Sequence, residues 1–101
     1  MKAEAHNEFS ASEQQQLLRL ARAAIAQHWQ QAPAPQIDAA DFAPHLTAKR
    51  ACFVTLTLGT RLRGCIGGLQ ATRALVEEVA LRAKQAAFHD PRFEPLEPHE
   101  L

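Results

Sequence analysis

The segment Leu62-Arg63-Gly64-Cys65-Ile66-Gly67-Gly68 sets an arginine and a cysteine two residues apart and holds three of the chain's four glycines. On a β-strand, side chains at that spacing leave the same face, so a guanidinium would stand beside a thiol while Leu62 and Ile66 point the other way. A neighbouring cation favours the thiolate, the nucleophilic and metal-binding form of cysteine. Cys65 is therefore the candidate catalytic residue, as nucleophile or redox thiol, with Arg63 as its activator or as the anchor of an anionic ligand. The same residues also fit quieter roles. Arg63 can be a structural ion pair or a solvated charge, and Cys65 a small side chain filling space on a strand. No histidine lies in the segment to act as base. Gly67-Gly68 leads from strand to helix as a phosphate-cradling loop does, yet without GxGxxG or Walker spacing it reads more simply as a tight turn. Gly64, Gly67 and Gly68 join Arg63 as candidate binding positions, because backbone or ligand can approach glycine closely. A second group follows downstream: Asp90 and Arg92 as a turn-fixing pair, and Phe93 as an anchor.

The elements that would position these residues are legible from periodicity. Cys52, Val54, Leu56 and Leu58 alternate with Thr55 and Thr57, which predicts a half-buried strand over residues 51–58 with Cys52 in the core. Gly59-Thr60 is a turn signal, and residues 61–66 return as a second strand. A two-residue turn would set Val54 opposite Cys65 and mix the two faces. One residue more, as a longer turn or a bulge near Thr60, pairs Val54 with Ile66, Leu58 with Leu62, Thr55 with Cys65 and Thr57 with Arg63, and keeps apolar apart from polar. Ser10 and Glu13 form a capping box before a helix whose stripe is Leu17, Leu18, Ala21, Ala24, Ile25, His28 and Trp29. Pro33 and Pro35 end it, and residues 38–42 can form a helical turn. A second helix, capped by Thr72, carries Leu75, Val76, Val79, Ala80, Ala83, Ala86 and Ala87 inward. Glu77, Glu78, Arg82, Lys84 and Gln85 cover its solvent side, with Glu78 and Arg82 as an ion pair. Its alanines predict close approach to another element, and Pro91 ends it near Phe88 or His89. Residues 92–101 show no regular period.

The expected fold is α+β, an antiparallel β-hairpin or sheet flanked by two amphipathic helices. Residues 1–9 read as an N-terminal extension and residues 10–101 as the domain. A hairpin alone is marginal and leaves two unpaired edges. More strands must come from a partner, from a homo-oligomer joined at those edges, or from a larger domain.

At 101 residues the chain is one domain, and 47% hydrophobic with 22% charged residues fits a globular protein. Eleven basic and eleven acidic side chains cancel, so nucleic acid and membrane surfaces are not expected partners. No apolar stretch approaches the ~20 residues of a membrane span. Residues 1–7 lack the pattern of a signal peptide, which predicts the cytoplasm. Cys52 and Cys65 are too few for a disulfide framework and should be thiols there. The five histidines form no pair at ligand spacing and there is no CxxC, so neither metal nor cofactor is expected.

Three blocks carry a resemblance. Phe53-Val54-Thr55-Leu56, Leu62-Arg63-Gly64-Cys65-Ile66-Gly67 and Ala86-Ala87-Phe88-His89-Asp90-Pro91-Arg92-Phe93 resemble the signatures of the AMMECR domain family. Its prokaryotic members are called AmmeMemoRadiSam system protein A, and the hexapeptide from Leu62 is the family's hallmark. The resemblance implies an α+β domain with antiparallel strands and flanking helices. It implies a biochemical activity not firmly established and association with a Memo-like protein and a radical SAM protein in a shared modification or redox pathway. A functional site is implied at Arg63, Gly64, Cys65 and Gly67, with Asp90 and Arg92 matching the second block. Family domains continue beyond the position matching Leu101, so the chain is expected to be the N-terminal portion of such a domain, lacking its C-terminal half. The expected function is that of a binding or accessory component in which Arg63 and the glycines around Cys65 form a recognition surface. Two alternatives stand beside it: a cysteine-dependent enzyme or redox protein using Cys65 with Arg63, and a purely structural strand-to-helix corner.

Overall fold

The computed structural model describes residues 2–5 (backbone), 9–30 and 37–101. Three strands, β1 (Lys2–Ala5), β2 (Phe53–Leu58) and β3 (Arg61–Gly67), form one antiparallel sheet in the order β1-β2-β3. Strand β1 pairs with β2 from Lys2↔Thr57 to Ala5↔Val54. The sequence reading assigned no strand there and left both hairpin edges bare. The edge of β2 is in fact occupied by β1.

Helix α1 (Ala11–Gln30) starts at the expected capping box, with the Ser10 hydroxyl accepting the Glu13 N–H at 3.1 Å and the Glu13 carboxylate accepting the Ser10 N–H at 3.0 Å. Leu17, Ala21, Ala24 and Ile25 face the core, but His28 does not. Its ring is exposed and stacks on Phe88 with centroids 3.9 Å apart, while Trp29 meets the edge of the same ring. Pro33 and Pro35 lie outside the described residues. Asp38 caps the expected turn, a 3-10 turn at Ala39–Asp41, by accepting the Ala40 N–H at 2.9 Å. One unexpected helical turn, α2 (Pro44–Thr47), follows and buries Leu46 completely.

Helix α3 (Leu75–Phe88) begins later than Thr72 predicts. Its N-cap is Ala74, and no side chain caps it. The chain approaching it is held extended by residues 48–50: the Arg50 N–H donates to the Arg73 carbonyl at 3.3 Å and the Leu75 N–H to the Ala48 carbonyl at 2.9 Å. A backbone bridge thus satisfies the first helical N–H that Thr72 was expected to serve. Of the predicted inward stripe, Leu75, Val76, Val79, Ala83, Ala86 and Ala87 are buried and Ala80 only partly so. Glu78, assigned to solvent, is wholly buried and pairs with both Arg73 and Arg82. The core gathers Leu17, Ile25, Leu46, Val54, Leu56, Leu75, Val76 and Val79. Each of these large side chains contributes about 1.5–3 kcal/mol relative to exposure.

The hairpin settles its register with a tight turn and a bulge together. Gly59 adopts φ +63° in the two-residue turn, a left-handed conformation that costs glycine little. Leu58 pairs with Arg61 and Thr57 with Leu62, after which the register shifts; Leu56 pairs with Gly64, Thr55 with Cys65 and Val54 with Ile66. Arg63 is the residue without a cross-strand partner, so the bulge sits there and not at Thr60. The predicted Val54–Ile66 and Thr55–Cys65 pairs form; Leu58–Leu62 and Thr57–Arg63 do not. Leu62 therefore shares the face of Thr57 and is 37% exposed, where the sequence reading turned it inward.

Gly64 fixes how closely the layers pack. A Cβ built there would collide with the Ala86 carbonyl of α3, which is the close approach that the alanine stripe foretold. Gly64→Ala must push α3 away from β3, and overpacking of this kind costs about 1–3 kcal/mol. Urea unfolding should show that loss with an unchanged denaturant slope, whereas wild-type stability in the variant would mean that the two backbones separate freely.

Candidate functional site

The bulge turns Arg63 away from the hairpin and toward the C-terminal segment. Its Nε and Nη2 donate to the two carboxylate oxygens of Glu100 at 2.8 and 3.0 Å, a bidentate pair. Nη1 donates to the Glu94 carbonyl at 2.7 Å and Nη2 also to the Pro95 carbonyl at 3.3 Å. Of the readings open for Arg63, this geometry is that of a structural ion pair. The guanidinium straps residues 94–100 against β3. Glu100 is presented by a 3-10 turn, Pro98–Glu100, whose own capping box joins Glu97 and Glu100. Leu96 behind the strap is buried, with its N–H donated to the Ala87 carbonyl at 2.8 Å. Arg63 holds the Glu100 carboxyl well below its ordinary value of 4.5, at about 2.

Cys65 is half-buried on the face of the sheet turned from the helices, and its Sγ lies 3.3 Å from the Thr55 hydroxyl across the strand pair. Its backbone N–H points out from the edge of β3 and is accepted by Asp90 Oδ2 at 3.0 Å. Asp90 is buried just past α3 and receives in addition the Arg92 N–H at 3.1 Å, Arg92 Nε at 3.0 Å and Arg92 Nη2 at 2.8 Å. That donor set, Arg92 foremost, keeps its carboxyl far below the usual carboxylate range. The predicted turn-fixing pair thus has a second task, which is to anchor the strand at Cys65. Phe93, partly buried, lies beneath the Arg92 guanidinium with 5.2 Å from centroid to Cζ.

Gly67 and Gly68 form a tight corner. A side chain at Gly67 would strike the Phe53 ring and the Cys52 carbonyl, and one at Gly68 would stand 2.6 Å from Arg82 Nη2. The Gly68 N–H returns to the Cys52 carbonyl at 3.2 Å. Cys52 is enclosed, as predicted, and burial pushes its thiol up to about 11. Sequence reasoning placed Thr55 opposite Cys65 but missed Glu100 and Arg73 as partners of the site. For Glu78 a signal existed: it lies three residues after Leu75 and four before Arg82, on the flank of the apolar stripe. Among the described residues no group of three or more His, Cys, Asp or Glu side chains could hold a metal ion.

The architecture is an α+β domain in which a glycine-punctuated Arg-Gly-Cys strand is fixed between a helix and an acidic strap. The chain belongs to the AMMECR1 family, whose pattern matches residues 18–101. It is 42% identical over 90 residues to a protein of Saccharolobus islandicus (strain L.S.2.15), covering 84% of this chain and 38% of that one. A protein of Methanothermobacter thermautotrophicus is 35% identical over 92 residues, covering 91% of this chain and 47% of the relative. The crystal structure of the uncharacterized protein PH0010 from Pyrococcus horikoshii superimposes with a TM-score of 0.72 at 36% identity, covering 83% of this chain and 43% of the other. The chain spans less than half the length of each.

The Arg63–Glu100 strap has a pH signature. A carboxyl whose folded value lies below its unfolded one adds stability above the unfolded value, and this is lost as pH falls through the folded one. Wild-type stability should therefore drop between pH 4.5 and about 2. Glu100→Gln should lower stability at pH 7 and shallow that drop, with the remainder carried by Asp90, and the two proteins should converge near pH 2. Parallel curves from urea titrations across this range would show that the strap contributes nothing.

Proposed function

We propose that this domain is a binding component of a multi-protein system, with the outward sheet face beside the Arg63–Cys65 corner as its recognition surface. The observation that carries this reading is the commitment of the motif's charges. Arg63 is held by Glu100 and two carbonyls, and Asp90 by Arg92 and the Cys65 N–H. What the corner offers outward is a fixed shape with Phe53 42% and Leu62 37% exposed on the same face. Gly64, Gly67 and Gly68 give that shape its tight backbone. Kinship with the AMMECR1 family supports a Memo-like protein and a radical SAM protein as the partners, in the cytoplasm. No described helix is long and apolar enough to cross a membrane. Calorimetric titration with each purified partner should give saturable binding that Leu62→Asp weakens at least about tenfold, as burial of an apolar anchor requires. Leu69→Asp, at a loop position 89% exposed, should leave it unchanged. Absence of binding to both proteins, or equal loss in both variants, sinks the proposal.

A second reading makes Cys65 a nucleophile or redox thiol. It is favoured by the outward placement of Sγ, 3.3 Å from the Thr55 hydroxyl on the face turned from the helices. Alkylation with iodoacetamide near neutral pH separates the two. A recognition surface requires that Cys65 label no faster than free cysteine, with the enclosed Cys52 well behind. Labelling of Cys65 ahead of free cysteine supports the enzyme instead.

A further inference from the structure

Glu78 and its two arginines take no part in the surface described above, and they leave positive charge uncompensated. The carboxylate is 0% exposed, and its Oε1 lies 2.9 Å from Arg73 Nη1 and 3.4 Å from Arg82 Nε. One negative charge faces two guanidiniums. A buried carboxylate so placed holds together two cations that would otherwise repel each other.

The donors of the two arginines are far from used. A guanidinium offers five N–H groups. Among the described residues Arg73 donates from Nη1 alone, and its side chain is 39% exposed. Arg82 donates from Nη1 to Gln85 at 2.9 Å and reaches Glu78 Oε2 from Nη2 at only 3.5 Å; its Nε is buried toward Glu78 Oε1 at 3.4 Å, so only its Nη groups face outward for a ligand. The backbone brings a glycine to the same place, since a Cβ at Gly68 would stand 2.6 Å from Arg82 Nη2. Arg73 is fixed by its carbonyl, which accepts the Arg50 N–H, and Lys49, exposed on the same bridging segment, pairs with Ala74.

We propose that Arg73 and Arg82, at the Gly67–Gly68 corner, form a site for a small oxyanion of the phosphate class, with Glu78 as the positioning residue beneath it. A planar carboxylate matches one guanidinium fork. Two guanidiniums drawn to one inner carboxylate oxygen suit a tetrahedral ligand, whose oxygens lie in more than one plane. The site adjoins the sheet face assigned to partner binding at the Gly67–Gly68 corner, but its arginines are not among the side chains of that face.

The test titrates inorganic phosphate into the isotope-labelled full chain at constant ionic strength, against chloride, reading backbone amide shifts by NMR. Saturable shifts centred on Gly67, Gly68, Leu69 and Arg73 are expected, with Arg73→Gln weakening the affinity at least about tenfold, as loss of a charge-assisted donor requires. Arg19→Gln, on the exposed side of α1, should titrate as wild type. Glycerol phosphate run in parallel tells free phosphate from a phosphoryl group on a larger molecule by which binds tighter. Non-saturable shifts, shifts centred elsewhere, or an equal response to acetate overturn the proposal. So does unchanged affinity in Arg73→Gln; should that variant not fold, the amide map of the unaltered chain decides.

Discussion

The contact between the Gly64 backbone and the Ala86 carbonyl governs the arrangement of this domain. It admits no side chain, so β3 and α3 lie closer than any residue but glycine at position 64 would allow. With the strand that close, the segment leaving α3 has only a few residues in which to turn. Asp90 consequently meets the outward N–H of Cys65 directly, and the following residues run back along β3 to reach Arg63. The bulge completes the arrangement by freeing Arg63 from cross-strand pairing. Helix, strand and strap are thus one unit built around a missing Cβ.

The main elements were legible in the sequence because each carries a local signal. The Ser10–Glu13 box, the alternation from Cys52 to Leu58 and the alanine stripe of α3 depend on neighbours in sequence, and each appears where periodicity puts it. Segregation of apolar from polar faces was enough to demand one extra residue in the hairpin. It could not say where: a bulge at Arg63 and a looser turn at Thr60 satisfy the same pattern over Val54 and Thr55. Strand β1 went unread because four residues, Lys2–Ala5, offer too little alternation, and the pairing that defines them is with β2, far along the chain. The helix start was misplaced for a related reason, since the N-cap is a backbone bridge to residues 48–50 and not a side chain.

The candidate site was legible as a set of residues more than as a geometry. The sequence picked out Arg63, Cys65, Asp90 and Arg92 and grouped them in two blocks, and the structure joins the blocks through the Asp90–Cys65 bond. The bond runs from a side chain to a strand N–H, and no residue pattern encodes that. The partner of Arg63 was beyond reach because Glu100 is a lone carboxylate in a proline-rich segment without period. Glu78 was misassigned on a sound general ground, since carboxylates are seldom fully buried. Two arginines converging on it reverse that expectation.

Asp90 has one more consequence. Among the described residues strand β3 is an edge of the sheet, and a bare edge strand invites a foreign chain to continue the hydrogen-bond ladder into a fibril. The carboxylate occupies the Cys65 N–H, and the guanidinium of Arg63 keeps acidic chain folded over the neighbouring stretch. The residues that shape the signature motif thereby also cover part of an edge that could otherwise template another strand.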